Sequence, residues 1–551
     1  MNKNKHLLLW SSLGVLALLG AAAYEENCQK QWRRVQASVR NETGPVEVHL
    51  RQTVVPQLHV ADRCVSCHVG MAAGEQGLSG SPLAAAHKPV GHDPAEFGCT
   101  VCHGGQGRAT EKDDAHGDVP FWPEPMIPHR YAYAGCGTCH SHTGVPGQPQ
   151  LTQAARLFER YDCLACHRSD ERGGTLRPGS PAGDEGPDLS RIGATGYSAD
   201  WYAKHLEKSK QAAGGPWKTS FGEIPGADRD AISTYLATRV GAAPLVEAKA
   251  VFHSLGCRGC HKIAGVGGSE GPDLSRVGQR DPGQLGHAGG HGQEALAHWL
   301  TAHTRDPGSI VPGSKMPAFD LDDAQTDQLT HYMLSLRRSQ VPEAYWPKDR
   351  IKVERFRERE FATDGATLLG TFCAACHGPS GAGRRLPGSY PFPAIANRDF
   401  LAAATDKFLA ETIAQGRPGR RMPAWSESDG GLRPAEIATL VSHLRQLGGE
   451  PESRKPEPER RWAKGDLALG KQLYANHCAG CHGPQGEGTD APALANKALL
   501  GSADDTYLVE TIARGRSGTP MRSFRDGSAV NPALAAAEIE AIVAFIGTWE
   551  K

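Results

Sequence analysis

Apolar and polar positions divide the chain into three kinds of stretch. The first opens with the basic MNKNKH, runs through a mainly apolar segment from Leu7 to Ala23, and ends in the polar YEEN. Those 17 residues stand at the lower limit of the roughly 17 to 25 of a membrane-spanning helix and slightly above the roughly 7 to 15 of a secretory core. From about residue 45 to 142 helical periodicity nearly vanishes: HKPVGHDPAEF and DVPFWPEPMIPHRY are rich in proline, which predicts irregular chain. From residue 150 onward a unit repeats. AARLFERYDC, AKAVFHSLGC, GATLLGTFC and LGKQLYANHC each open one copy, and DRDAISTYLATR, DDAQTDQLTHYMLSLR, PAEIATLVSHLRQL and AAEIEAIVAFIGTW each close one. Apolar residues recur in them at three- and four-residue spacing, with Tyr235, Tyr332, His443 and Phe545 at corresponding positions, which predicts paired helices.

Composition narrows the picture. A chain of 551 residues exceeds any single core, and 66 Gly with 38 Pro predict much loop. Sixty basic residues against 61 acidic give a net charge of -1, so the basic footprint of a nucleic-acid-binding protein is absent. Fifteen cysteines are too sparse for a disulfide scaffold.

Fourteen of those cysteines form seven copies of C-x-x-C-H: Cys64, Cys67 and His68; Cys99, Cys102 and His103; Cys136, Cys139 and His140; Cys163, Cys166 and His167; Cys257, Cys260 and His261; Cys373, Cys376 and His377; Cys478, Cys481 and His482. Composition alone would supply roughly 0.02 copies. Two thiols three positions apart can each form a thioether to a haem vinyl group while the adjacent His meets the iron, so the motifs predict seven covalently bound haems c. Zinc knuckles would combine in pairs to give four ligands, which fits neither an odd number nor the constant His. Cys28 is left over, with no lipid-attachment pattern before it, and reads as a free thiol.

Spacing separates two architectures. The first three motifs lie 35 and 37 residues apart, too close for a helical shell around each haem, whereas later intervals are 94, 116 and 105. The expected fold is mainly α with much irregular loop: an N-terminal anchor or signal over 1–28, a loop-rich triheme module over 29–149, and helical domains over 150–242, 243–340, 361–449 and 463–551. Charged, Pro-bearing linkers fill 341–360 and 450–462. From about 150 the order of motif, loops and helices resembles four tandem class I cytochrome c domains, whose first and last helices cross beneath the haem. Duplication is visible in GPDLSRIG with GPDLSRVG, and in FLAETIAQGRPGRRMPAW with YLVETIARGRSGTPMRSF.

The resemblance implies a sixth, distal ligand in each unit. Met316 in KMPAF, Met422 in GRRMPAW and Met521 in GTPMRSF stand where the family carries its axial Met, a soft ligand that raises reduction potential. The fourth unit has Thr219 at that position, so its ligand is missing, substituted or supplied from elsewhere, with His205 the nearby candidate. The triheme segment also carries His49, His59, His87, His92, His116, His129 and His142, and resembles small bis-His multihaem cytochromes in which a distal His often serves a haem other than that of the motif it precedes. His92 and His129 are the expected ligands there, with His59 or His87 for the third haem and Met71 and Met126 as outside candidates.

Lys3 and Lys5 put the N-terminus in the cytoplasm, so the chain beyond Ala23 is exported. A retained anchor is the expectation; cleavage after Ala21-Ala22-Ala23 is the alternative. The reading is a bacterial inner-membrane cytochrome with its soluble part in the periplasm. It would carry electrons from low-potential haems near the anchor to His/Met haems at the C-terminus, with redox proteins as partners, a quinol-oxidising complex as donor and no nucleic acid. The rival reading is an oxidoreductase with a substrate-binding haem in the fourth unit; no acid or base constellation stands near Thr219.

Overall fold

The computed structural model describes residues 2–72, 74–75, 77–88, 90–140, 145–165, 167–170, 172–173, 186–195, 197–208, 224–285, 294–337, 341–360, 363–386 and 391–550. It is mainly α-helical, and its only sheets among these residues are four two-stranded antiparallel ladders. Asn2–Cys28 forms one helix, long and apolar enough to cross a bilayer, with its apolar side chains exposed.

The chain gathers into two compact units. One comprises 1–141, 278–301 and 333–350; the other comprises 142–277, 302–332 and 351–551. Segments 278–301 and 333–350 thus group with the N-terminal part. The contacts are close: a side chain at Gly137 would collide with Ser335, Phe97 meets the ring of Tyr345 at 5.7 Å, and Arg130 faces Glu294. In the N-terminal unit helices after Ser38 are short, such as Pro94–Phe97, Thr100–His103 and Lys112–His116.

From residue 148 onward each repeat opens and closes with the expected helices. The opening helices are Gln148–Arg160, Ala243–Ser254, Gly365–Phe372 and Leu467–His477; the closing ones are Gly226–Ala237, Asp323–Ser335, Pro434–Leu447 and Ala536–Gly547. Local chemistry starts them: Asp364 accepts from Thr367 N–H at 2.9 Å and Asp466 from Ala468 N–H at 2.8 Å, capping otherwise unpaired donors. Glu436 and Glu538 reach back to the N–H groups of Arg433 and Ala535, both at 2.8 Å.

Each crossing has a small residue on the opening helix: Ala154, Ala248, Gly365 and Gly470. Both alanines are buried, and a side chain at Gly470 would run into the carbonyl of Ala541 and Cβ of Phe545. Aromatic pairs flank three crossings, Phe158 with Tyr235 at 5.2 Å, Phe252 with Tyr332 at 4.7 Å and Tyr474 with Phe545 at 5.7 Å between centroids. His443 packs over Gly365 in the other. The repeats form two kinds. In the fourth and fifth, two residues separate helix from motif, and the second is left-handed, Asp162 at φ 54° or Gly256 at φ 75°. In the sixth and seventh the helix leads straight into Cys373 or Cys478.

The last two repeats share one hydrophobic core, which includes Leu401, Leu440, Leu500 and Ile542. Their packing is reciprocal: Arg398–Ala403 lies on Asp505–Arg514, and Asp406–Gln415 lies on Lys497–Ser502. Phe408 and Tyr507, at corresponding positions, meet at 4.3 Å between centroids. Asn397 and Asn496 each cap their own helix with Oδ1 and donate from Nδ2 to the partner repeat's loop, at Ser517 O and Pro418 O respectively, both at 2.9 Å.

The segments read as linkers are held in place. Lys348–Phe356 is helical, and Arg350 and Glu360 are buried, Glu360 against Lys249 at 3.1 Å. Arg454 bonds both oxygens of Asp504 at 2.7 Å, and Arg461 pairs with Asp505 and Glu550. Their charges face partners on the repeats instead of water alone.

We expect Asn496→Asp, which keeps the capping oxygen, to cost about 1 kcal/mol from the lost cross-repeat bond, and Asn496→Ala to cost roughly twice that, measured by denaturant unfolding. Burial pushes His331 down to about 4. The unfolded chain binds a proton there below about pH 6.5 while the folded one does not until about pH 4, so stability falls as pH drops through that window, by up to about 3 kcal/mol from this residue. His331→Gln should flatten that part of a stability–pH profile.

Candidate haem-binding sites

All seven motifs close with the same backbone bond. The His N–H donates to the carbonyl of the first Cys at 2.8 Å for His68, 2.9 Å for His103, 2.8 Å for His140, 3.0 Å for His167, 3.1 Å for His261, 2.9 Å for His377 and 3.0 Å for His482. One helical turn thus brings the first thiol and the imidazole together at every motif.

In the four C-terminal repeats the imidazole is also oriented. Nδ1 of His167, His261, His377 and His482 faces the carbonyl of Pro187, Pro272, Pro393 and Pro492, at 2.9, 2.8, 2.8 and 2.8 Å. A hydrogen bond at Nδ1 fixes the tautomer that leaves Nε2 bare for a metal, the usual outer-shell device of ligating histidines. Gly186 and Gly271 lie against the rings of His167 and His261, where any side chain would overlap the imidazole. Burial holds His261, His377 and His482 below the ordinary imidazole range, favouring the neutral ring that ligation requires. The signal for the orienting carbonyl is a Pro followed two residues later by Leu or Ile, as in PDL, PDL, PAI and PAL. The duplication GPDLSR is visible in the sequence, but its role is not.

Burial pushes the Cys136, Cys257 and Cys373 thiols up to about 12 and those of Cys139 and Cys478 to about 11. Among the described residues no three His, Cys, Asp or Glu side chains converge as a metal cage.

Met316, Met422 and Met521 lie half-buried in loops. The last two loops close alike, with Arg417 N–H on Met422 O at 2.9 Å and Arg516 N–H on Met521 O at 2.7 Å. Ser314 and Thr519 hydroxyls each accept from the N–H of the Met two residues on, at 3.2 Å. Cys166 and Thr219 lie outside the described residues; His205 is on the helix Ala199–Lys208, its side chain outside them.

The N-terminal motifs are positioned differently. Asp62, buried, accepts from Cys99 N–H at 2.6 Å, Thr100 N–H at 2.8 Å and the Thr100 hydroxyl, capping the turn of the second motif. It sits 37 residues upstream, with no local signal. His87 lies 6.2 Å from His103 and His92 lies 5.9 Å from His140 between ring centroids. Both separations are short enough for the two rings of a pair to serve one metal. His129 is exposed and adds its field at His103; His116 does so at His68. His59 is exposed in a left-handed turn at φ 56°. His116 carries no signal in the sequence beyond its place among the other histidines of the segment.

The chain matches the family model described as "Cytochrome c" over 245–337 and 467–550, and that described as "Cytochrome C oxidase, cbb3-type, subunit III" over 360–444. It is a multihaem c-type cytochrome. Among its relatives is the cbb3-type cytochrome c oxidase subunit FixP of Bradyrhizobium sp. (strain ORS 278), 34% identical over 164 residues, 28% of this chain and 51% of that protein. Subunit CcoP of Rhodobacter capsulatus is 28% identical over 194 residues, 33% of this chain and 60% of that one. The cytochrome thus spans about half the length of the curated relatives it matches. The Kuenenia stuttgartiensis reducing HAO-like protein complex Kustc0457/Kustc0458 aligns at 18% identity over 34% of the cytochrome and 96% of that chain, with a TM-score of 0.23.

Replacing Asp62 by Ala removes the cap of the second attachment turn. The expected result is about 1–2 kcal/mol of lost stability with reduced haem loading at that motif, measured by unfolding and by peptide mass spectrometry across Cys99–His103.

Proposed function

We propose that this cytochrome binds seven haems c and carries electrons on the periplasmic side of the inner membrane, anchored through Asn2–Cys28. The observation that carries this reading is the common closure of seven attachment turns, His N–H on Cys carbonyl, within one chain. A bound haem c accepts and releases one electron at its iron without making or breaking substrate bonds. The residues do the rest. Each pair of cysteines fixes a porphyrin in place, and each motif His supplies the proximal nitrogen.

Met316, Met422 and Met521 supply thioether ligands in the fifth, sixth and seventh repeats and set higher potentials there. His87 and His92 serve the haems of His103 and His140, and His116 that of His68, which gives bis-His ligation and lower potentials near the anchor. On this assignment His92 serves a motif other than the one it precedes, while His87 and His116 take places for which His59 and His129 are also candidates by sequence. Electrons then run from the N-terminal haems towards the C-terminus.

A quinol-oxidising complex is the donor this direction calls for. The relatives named as cbb3-type oxidase subunits favour a second placement, in which the C-terminal repeats deliver electrons to a terminal oxidase as part of its complex.

Intact-mass measurement should give seven haem additions, and fewer would overturn the count. In a spectroelectrochemical titration Met422→His should lower one potential by at least tenfold in the reduction equilibrium, about 59 mV for one electron, while His92→Ala should turn one low-spin haem high-spin. Highest potentials at the N-terminal haems would overturn the direction.

A further inference from the structure

The fifth and sixth attachment turns are packed backbone against backbone. Gly256 fits only because it lacks a side chain: a Cβ there would overlap the amide nitrogen of Ala375 and come within 3.1 Å of the Gly370 carbonyl. Gly259, inside the motif itself, would place a Cβ 2.8 Å from the carbonyl oxygen of Phe372. On the other side stand Ala374 and Ala375, both buried, as the two variable residues of C-A-A-C-H. Small residues on both turns permit this approach, and other contacts lock it: Gly267 N–H donates to Gly430 O at 3.1 Å, and Lys249 with Arg258 holds Glu360 between the repeats. As a result the second thiols of the two motifs, Cys260 and Cys376, lie within hydrogen-bonding distance of each other.

We propose that the haems held by the fifth and sixth motifs lie edge to edge, joined at the Cys260 and Cys376 thioethers. The inference rests on the reading of both motifs as haem sites. Each thioether fixes one vinyl-bearing edge of its porphyrin, so neighbouring sulfurs require neighbouring edges. The seventh repeat meets the sixth through a different surface, the reciprocal helices and the Asn397 and Asn496 clamps. The sixth repeat therefore has a separate contact face for each neighbour, and Cys260–Cys376 is the only place among the described residues of the C-terminal repeats where two motif thiols are hydrogen-bonded.

The test uses the full holoprotein, fully oxidised, in electron paramagnetic resonance. In the wild type the low-spin signal of the Met422 haem should be broadened by its neighbour. In Cys257→Ala/Cys260→Ala it should sharpen and gain intensity. A Met422 haem signal equally sharp in both proteins, with seven haems in the wild type and six in the variant, overturns the pairing and leaves the haem reading intact. Haems missing from either motif in the wild type, or a Cys260–Cys376 disulfide in place of attachment, overturns the haem reading itself.

Discussion

A single bond, from the His N–H to the carbonyl of the Cys four residues earlier, recurs at every attachment turn and ties the backbone to the chemistry. It winds C-x-x-C-H into one helical turn, so that sulfur and imidazole are set by backbone geometry and need no distant support to come together. What the surroundings add is direction. In the C-terminal repeats a proline carbonyl holds Nδ1 and aims Nε2, and in the N-terminal unit Asp62 ties down the second turn. A turn this self-sufficient can be placed on very different supports, which is how one chain combines a segment of short helices and loops with crossed-helix repeats.

The crossed helices meet the same demand with different details. Each needs two backbones close together, and Ala154, Ala248, Gly365 and Gly470 allow it. Aromatic rings then fill the space beside three of the crossings. The two residues between helix and motif in the fourth and fifth repeats end in a left-handed Asp162 or Gly256, which changes the approach to the motif without changing the motif. At Gly256 the same residue also admits the neighbouring turn, so local conformation and packing between repeats are satisfied by one missing side chain.

Much of this is legible from residues alone. The opening and closing helices follow their apolar periodicity, and Tyr235, Tyr332, His443 and Phe545 do lie at the crossings. The segments 341–360 and 450–462 read as loose because charge and proline are ordinarily solvated. Here Glu360, Arg454 and Arg461 find partners far along the chain, which a local pattern does not reveal.

Short-range chemistry is what the sequence determined: where the C-x-x-C-H turns stand, where helices begin and which repeat each Met-bearing loop falls in, because each depends on residues within about one helical turn or a repeated order. Tertiary structure alone decided which His faces which, what caps the second motif, how the fifth domain divides between the units and which motif thiols touch. Those are long-range juxtapositions, set by how whole elements pack, and neither spacing nor periodicity encodes them.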